Sequence, residues 1–420
     1  MAPLHPHRAF WLIAATYLMV LFASAAPSPL YPVYQELWGF SALTLTLVFA
    51  VYVVTMLMSL LTVGSLSDHI GRRPVLAVAL VLLIGSMILF VVAEDVGTLM
   101  AARALQGLAT GAAMGTLTAT TVDLQPTVRL GSATVGAAPA LGLGSGVAVA
   151  GLLVQYAPAP RILIYEVILG LFAALLIALL IVPETRERVG FDSRRHLAST
   201  IAPQVAVPRP VRRVFLAAAP ALVATWSLGG LYLSLGSSVV SRVFGVTNHA
   251  TAGVLLGTFF ACAALTSLLI TGRPSTTKLA FGYPALATGV VLSLAGVLVE
   301  SLPFYVLGSI VAGSGWAATF LGAMDSITAA TPPTQRGQVY SSVFVASYLA
   351  FSVPAVIAGI LVSHIGLRDT IVGYVCYVLA VAVIGAVAAA VVSRRRGAPE
   401  TLTDITADTP PSRPVPSGEV

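Results

Sequence analysis

The sequence predicts an all-α membrane protein, with twelve transmembrane helices in two pseudo-symmetric six-helix bundles. Three observations lead there. First, the chain of 420 residues is 57% hydrophobic and 9% charged, with a mean hydropathy of +0.94. Soluble domains average about 45–50% apolar and about 25% charged residues, so no single water-soluble core could hide these side chains. Second, the apolar residues fall into twelve runs, each close to the roughly 20 residues that cross a hydrocarbon core of about 30 Å. Third, short matches recur at equivalent places in the first and second six runs.

In chain order the runs are 9–30, 42–63, 75–93, 97–121, 130–154 and 161–182, then 212–240, 249–271, 278–299, 303–329, 337–363 and 370–392. They divide the chain into an N-terminal six-helix bundle (1–182), a central loop (183–211), a C-terminal six-helix bundle (212–393) and a tail (394–420). The tail is rich in Pro, Thr and Ser, a composition that predicts disorder. Phe22 to Pro29, "FASAAPSP", resembles a signal-peptidase site. Cleavage there would remove the first run and break the repeat, so the run is expected to stay.

Orientation follows from Lys and Arg. Only Arg103, Arg161, Arg242 and Arg368 of the 22 basic residues lie on one side, and the other 18 lie on the side that holds both termini. That side is therefore predicted to be cytoplasmic, in a multi-pass protein of the cytoplasmic membrane. The formal charge of +6 is then a topology signal and a contact to anionic membrane lipids, not a nucleic-acid footprint. Cys262 and Cys376 sit inside apolar runs and imply no disulfide and no metal. No nucleotide-binding loop, zinc motif or catalytic triad is present. An enzyme and a cofactor are therefore not expected.

Pro126-Thr127-Val128-Arg129 follows the fourth run and Pro333-Thr334-Gln335-Arg336 the tenth, 207 residues later. Arg8-Ala9-Phe10 and Arg213-Val214-Phe215 open the first and seventh, 205 apart. Two homologous halves with a site between them are a transporter plan.

The stretch between runs two and three reads "GSLSDHIGRRP". Glycines, a proline and arginines suit a tight turn on the positive side. Asp68 does not serve topology and needs a partner. With Gly64, Asp68, Gly71, Arg72 and Arg73 at this spacing, the stretch resembles the loop 2–3 signature of the major facilitator superfamily. His69 stands where that family usually has a basic residue. "RALQGLATGAAMG" resembles its span-four motif, and "PETRER" (Pro183 to Arg188) is also similar. The resemblance implies a gate: Asp68 against the start of span eleven near Gly337 and Gln338, and Arg72 reaching Asp123.

In span four, Arg103, Gln106, Thr110 and Met114 share one helical face, beside a stripe of Gly107, Gly111 and Gly115. Arg in a span is costly and usually functional, although an Arg this near an end can also snorkel outward. In span five, Gly136, Ala140, Gly144 and Ala148 form one four-residue register and Gly142, Gly146 and Ala150 another. Both suit tight packing.

Few acids could carry a proton. Glu36 and Glu166 are the candidates, because burial in a membrane would raise their affinity for it. A structural pairing of Glu166 with Arg161 is the competing reading. In the family fold, spans one, four, seven and ten line the cavity. This nominates Tyr17, Tyr31, Tyr34, Gln106, Trp226, Tyr232, Ser234, Trp316 and Asp325 as lining residues. Such a cavity suits a neutral, cationic or amphipathic small molecule. The sequence thus reads as a monomeric, proton-coupled efflux antiporter similar to the family's drug exporters. A proton symporter or facilitator for a sugar-like metabolite, and a non-transporting receptor with a transporter fold, are the alternatives. A reporter fused after Arg396 should behave as cytoplasmic; periplasmic behaviour would sink the twelve-span topology.

Overall fold

A computed structural model describes residues 4–63, 66–186 and 205–397, and among these it is helical throughout, without strands. Gly64, most of the central loop and the tail beyond Gly397 lie outside the described residues. "Inner" below denotes the Arg-rich side.

Helix α1 (Pro6–Ala25) stops inside the first apolar run. Pro27 and Pro29 have no N–H to continue it, so a single 3₁₀ turn (Ser28–Leu30) intervenes before helix resumes as α2 (Tyr31–Trp38). The sequence reading ended the first run at 30 and left the segment after it unassigned. It is helical up to Gly39, whose φ of 65° ends it in the left-handed region. Then come α3 (Ala42–Val63), the short α4 (Ser67–Ile70), α5 (Arg72–Val91), α6 (Val96–Leu124), α7 (Val128–Tyr156) and α8 (Leu163–Leu179). Asp95 caps α6 by accepting from the Thr98 N–H at 2.7 Å, which holds its carboxyl below the usual carboxylate range.

The second half repeats the plan. Helix α9 (Arg209–Ser234) breaks before α10 (Gly236–Phe244), which ends at Gly245 with φ 65°. Gly39 and Gly245 are 206 residues apart and play the same role. After α11 (His249–Ile270), α12 (Ser275–Leu298) and α13 (Leu302–Ala330), the segment α14 (Arg336–Gly397) holds both remaining runs as two helices. Gly366, at φ 83° and ψ 167°, divides it. Among the described residues nine stretches are long and apolar enough to cross a membrane. The twelve-run reading differs by three cases. Helix α6 carries Arg103, Gln106 and Asp123, α8 has 17 residues, and α14 counts once although Gly366 splits it.

Large apolar side chains such as Met58, Val78, Ile177, Leu216, Leu269 and Val387 point outward. A water-soluble surface would not carry so many, whereas lipid accepts them. Inside, glycines bring backbones together. A Cβ on Gly111 would lie 2.9 Å from the Leu60 N–H nitrogen of α3, and one on Gly107 would run into the Tyr52 carbonyl. The two registers of α7 prove to be two faces. Gly142 and Gly146 meet Leu18 and Phe22 of α1, in the same half. On the other face, Gly144 meets Gly257, Ala140 packs with Ala263 and Ala264, and Gly151 meets Gly253, all in α11 of the second half.

The remaining bonds between the halves also gather toward the outer ends. Ser237 Oγ donates to Ser28 O (3.1 Å), the His249 N–H donates to Gln155 Oε1 (2.8 Å), and Thr46 abuts Gly359. Phe49 meets Phe351 at 5.0 Å, deeper in the membrane. Nearer the inner end the contact is looser but continues: a Cβ on Gly136 would lie 3.7 Å from Leu321 and 3.9 Å from Ser267.

The two kinds of contact predict different outcomes. Gly111→Leu overpacks a permanent contact within one half and should cost about 1–3 kcal/mol, seen as a lower unfolding temperature in detergent. Gly257→Leu wedges a contact between the halves. It should leave that temperature nearly unchanged while increasing labelling of outer-end cysteines from outside.

Candidate functional site

At the inner ends of the first half one charge network ties three spans. Gly71, at φ 97°, turns the chain into α5 and exposes the first N–H groups of that helix. Pro74 contributes none, so the donors left are those of Arg72 and Arg73. Both point at Glu184, just past α8: Arg72 N to Oε1 at 2.8 Å and Arg73 N to Oε2 at 3.1 Å. A carboxylate at a helix N-terminus satisfies orphan donors and the helix dipole together. A Cβ on Gly71 would sit 2.7 Å from the Glu184 oxygen, so Gly is required there by space as well as by φ.

The Arg72 guanidinium is nearly buried. Its Nη1 lies 2.8 Å from Asp68 Oδ1 and donates to Ser67 Oγ at 2.7 Å, and its Nε lies 3.5 Å from Asp123 Oδ2. Thr185 Oγ1 donates to the same Asp123 oxygen at 3.0 Å. Asp68 was expected against the start of span eleven. Instead it pairs within its own loop, and a Cβ on Gly337 would meet nothing within 4 Å. The physical reason is local: Arg72, four residues on, lies within reach of the Asp68 carboxylate, whereas the start of span eleven leaves open space beside Gly337. Glu184 was missed in the sequence. Its signal was the "PETRER" similarity, which carried no partner.

The second half has a counterpart, also missed. Lys278 in the first turn of α12 is buried and pairs with Asp325 of α13 at 2.5 Å. Arg72 and Lys278 are 206 residues apart, and Asp123 and Asp325 are 202 apart. Asp325 therefore belongs to a pair at the inner end of the second half. Applying the repeat offset to Arg72 would have found it.

Deeper in the first half, Arg103 is 1% exposed, which excludes snorkelling. Its Nη1 donates to Gln106 Oε1 (2.6 Å) and to the Ser24 carbonyl (3.1 Å), and its Cζ lies 4.2 Å from the Tyr52 ring centre. Gln106 Nε2 donates to the Ala23 carbonyl at 2.9 Å. These carbonyls are available because α1 breaks: Pro27 has no N–H to offer Ala23, and Ser24 lies in the last turn. Arg103 Nε, Tyr31 Oη and Thr110 Oγ1 are buried without a partner. Among the described residues no carboxylate pairs with Arg103.

The remaining candidates are dispersed. Glu36 and Glu166 are both exposed on the protein surface. Tyr31 and Tyr34 are buried inside the first half, with Tyr34 Oη donating to Tyr165. Tyr232 is buried inside the second, bonded to Ser309 at 2.7 Å and stacked on Phe259. Ser234 donates to the Gly230 carbonyl. These four are buried in bundle interiors, where the hydroxyls of Tyr34, Tyr232 and Ser234 find partners, and Tyr232 also borders a small apolar cavity with Leu228, Val290 and Tyr305. Tyr17 bonds Thr118 at 3.0 Å. Trp226 and Trp316 are half-buried and share an aromatic cluster with Phe320, Tyr348 and Phe351. Trp316 Nε1 donates to Thr225 O, while Trp226 Nε1 has no partner. The described residues hold no group of three or more His, Cys, Asp or Glu that could bind a metal.

Two similar helical halves, joined by separable contacts and carrying matching charge pairs at one end, define a membrane transporter for small molecules. The chain belongs to the Major Facilitator Superfamily, whose sequence model matches residues 13–353. The fold is similar to the crystal structure of the human organic anion transporter MFSD10 (TETRAN). The TM-score is 0.67 at 19% identity, over 91% of this chain and 100% of that one. No curated protein matches the sequence.

Arg103 is a buried cation without a counter-ion, and such charges cost folding energy. Arg103→Met should keep or raise the unfolding temperature while cutting gradient-driven transport at least tenfold. Equal transport by the variant would reduce Arg103 to packing.

Proposed function

We propose that this protein is a proton-coupled exporter of small amphipathic organic molecules, working as a monomer in the cytoplasmic membrane with both termini inside. The observation that carries this reading is the division of contacts. The halves touch through a small-residue seam along α7 and α11 and a few hydrogen bonds at their outer ends, while the inner-end charges are bound within each half. Such an arrangement can exchange one set of contacts for another at small net cost, which alternating access requires. The half-buried rings of Trp226, Trp316 and Phe320 support a substrate with flat apolar surface. The unpartnered Trp226 N–H supports one that carries a hydrogen-bond acceptor. Organic anions, which the human transporter MFSD10 carries, fall within this class.

A specific observation favours a second reading. Glu36 and Glu166 are exposed, and Asp325 is already paired with Lys278. A facilitator without proton coupling needs no buried acid. Purified protein in liposomes with an imposed pH gradient separates the two. The exporter reading expects the gradient to drive accumulation of at least one compound from an amphipathic panel. Transport that equilibrates but ignores the gradient would replace it with the facilitator. No transport of any compound, with Arg103→Met behaving as wild type in ligand-induced stabilisation, would favour a receptor.

The inner gate adds a further expected outcome. Asp68→Asn keeps the shape of the turn but removes the charge proposed to engage span eleven when the inside closes. A cysteine at the inner end of α7 or α13, in a background lacking Cys262 and Cys376, should label faster from inside. Unchanged labelling and unchanged transport would leave Asp68 a turn residue only.

A further inference from the structure

A groove of about 240 Å³ lies between the inner ends of α5 and α8, walled by Pro74, Ala77, Leu176, Leu179 and Leu180, with Arg73 at its rim. We propose that it binds an anionic phospholipid of the leaflet on the Arg-rich side, with the headgroup phosphate on Arg73 and an acyl chain along the apolar wall.

The groove faces lipid. Helices α5 and α8 pack on each other and on first-half helices, and their outward residues Val78, Ile177 and Leu180 are 59%, 68% and 63% exposed. Its depth also matches. Arg73 stands in the first turn of α5 and Leu180 just past the last turn of α8, so the rim lies at the membrane interface and the apolar wall runs inward. The guanidinium is held in place: Nη2 donates to the Leu180 carbonyl at 2.7 Å, and the Arg73 N–H is anchored on Glu184. An arginine whose side chain is already tethered through Nη2 loses less freedom on gripping a phosphate, and its fork suits phosphate oxygens.

Charge favours an anion there. The one carboxylate bonded to Arg73, Glu184, is engaged by the first N–H groups of α5 and by those of Thr185 and Arg186. Arg186 is exposed beside it, and the Leu4 N–H bonds the Ile181 carbonyl, which brings the Arg8 end of α1 to the same corner. Clusters of Arg and Lys immediately inside a span attract anionic lipid. A free phosphate would use the rim only; the apolar wall commits the site to a lipid.

The test compares lipids on the full-length protein. In detergent, phosphatidylglycerol should be retained at least tenfold better than phosphatidylcholine by native mass spectrometry, and it should raise the unfolding temperature more. Inorganic phosphate and glycerol phosphate should do neither. Arg73→Gln should cut the preference at least fivefold, and Ala77→Trp, which fills the wall but keeps the charge, should do the same. Leu216→Trp, on the outward face of α9 in the second half, should leave it intact. Equal retention of both lipids by wild type would overturn the site, whatever the variants do. So would a preference that survives both Arg73→Gln and Ala77→Trp, or stabilisation by inorganic phosphate alone.

Discussion

A permanent charge at hydrocarbon depth has to be wrapped, and the wrapping of Arg103 shapes the first half. An Arg cannot shed its proton, so its donors must find acceptors in place. Here the acceptors are backbone carbonyls that a proline break in the first span leaves unused. The break at Pro27, the 3₁₀ turn, the resumed helix α2 and the side chain of Gln106 form one solution to one problem. Removing the prolines would restore the helix and take both carbonyls away. The same break lets α2 lean toward the second half, where Ser28 accepts from Ser237. Thus the site of the charge and the outer closure share a backbone feature.

Helix contact without side chains between is the second organising device. In α7 it operates on two faces with different duties. One face packs on α1 within the same half, and the other packs on α11 across the boundary between the halves. A glycine face suits a boundary that must open, because it offers close packing without interlocked side chains. It also offers weak Cα–H contacts rather than strong hydrogen bonds that would have to break.

Much of this could be read from residue order. The spans followed from run lengths, since lipid forces every backbone group into a helix. The two registers of α7 were visible as four-residue spacings, although which register faced which neighbour was not. The span-four face of Arg103 and Gln106 was visible too. Three things were hidden. The break after Ala25 was written in Pro27 and Pro29, but an apolar run masks a change in backbone path. The roles of Glu184 and Lys278 depend on partners 112 and 47 residues away, and composition near a residue says nothing about such distances. Burial of Tyr31, Tyr34 and Tyr232 inside the bundles could not be separated from cavity lining, because both faces of an interior helix are apolar.

The two halves also differ in what they kept from a shared plan. Gly39 and Gly245 end equivalent helices with the same φ, and Gly71 and Gly272 both turn at positive φ before equivalent ones. The charges at the inner ends were treated otherwise: Arg72 touches two carboxylates and Ser67, whereas Lys278 has Asp325. If one ancestral unit was copied, the copies stayed alike where geometry alone decides and diverged where electrostatics decides. A duplicated gene gives each half freedom to specialise, and here the specialisation is one-sided. The first half carries the richer ion-pair network, and the second the simpler single pair.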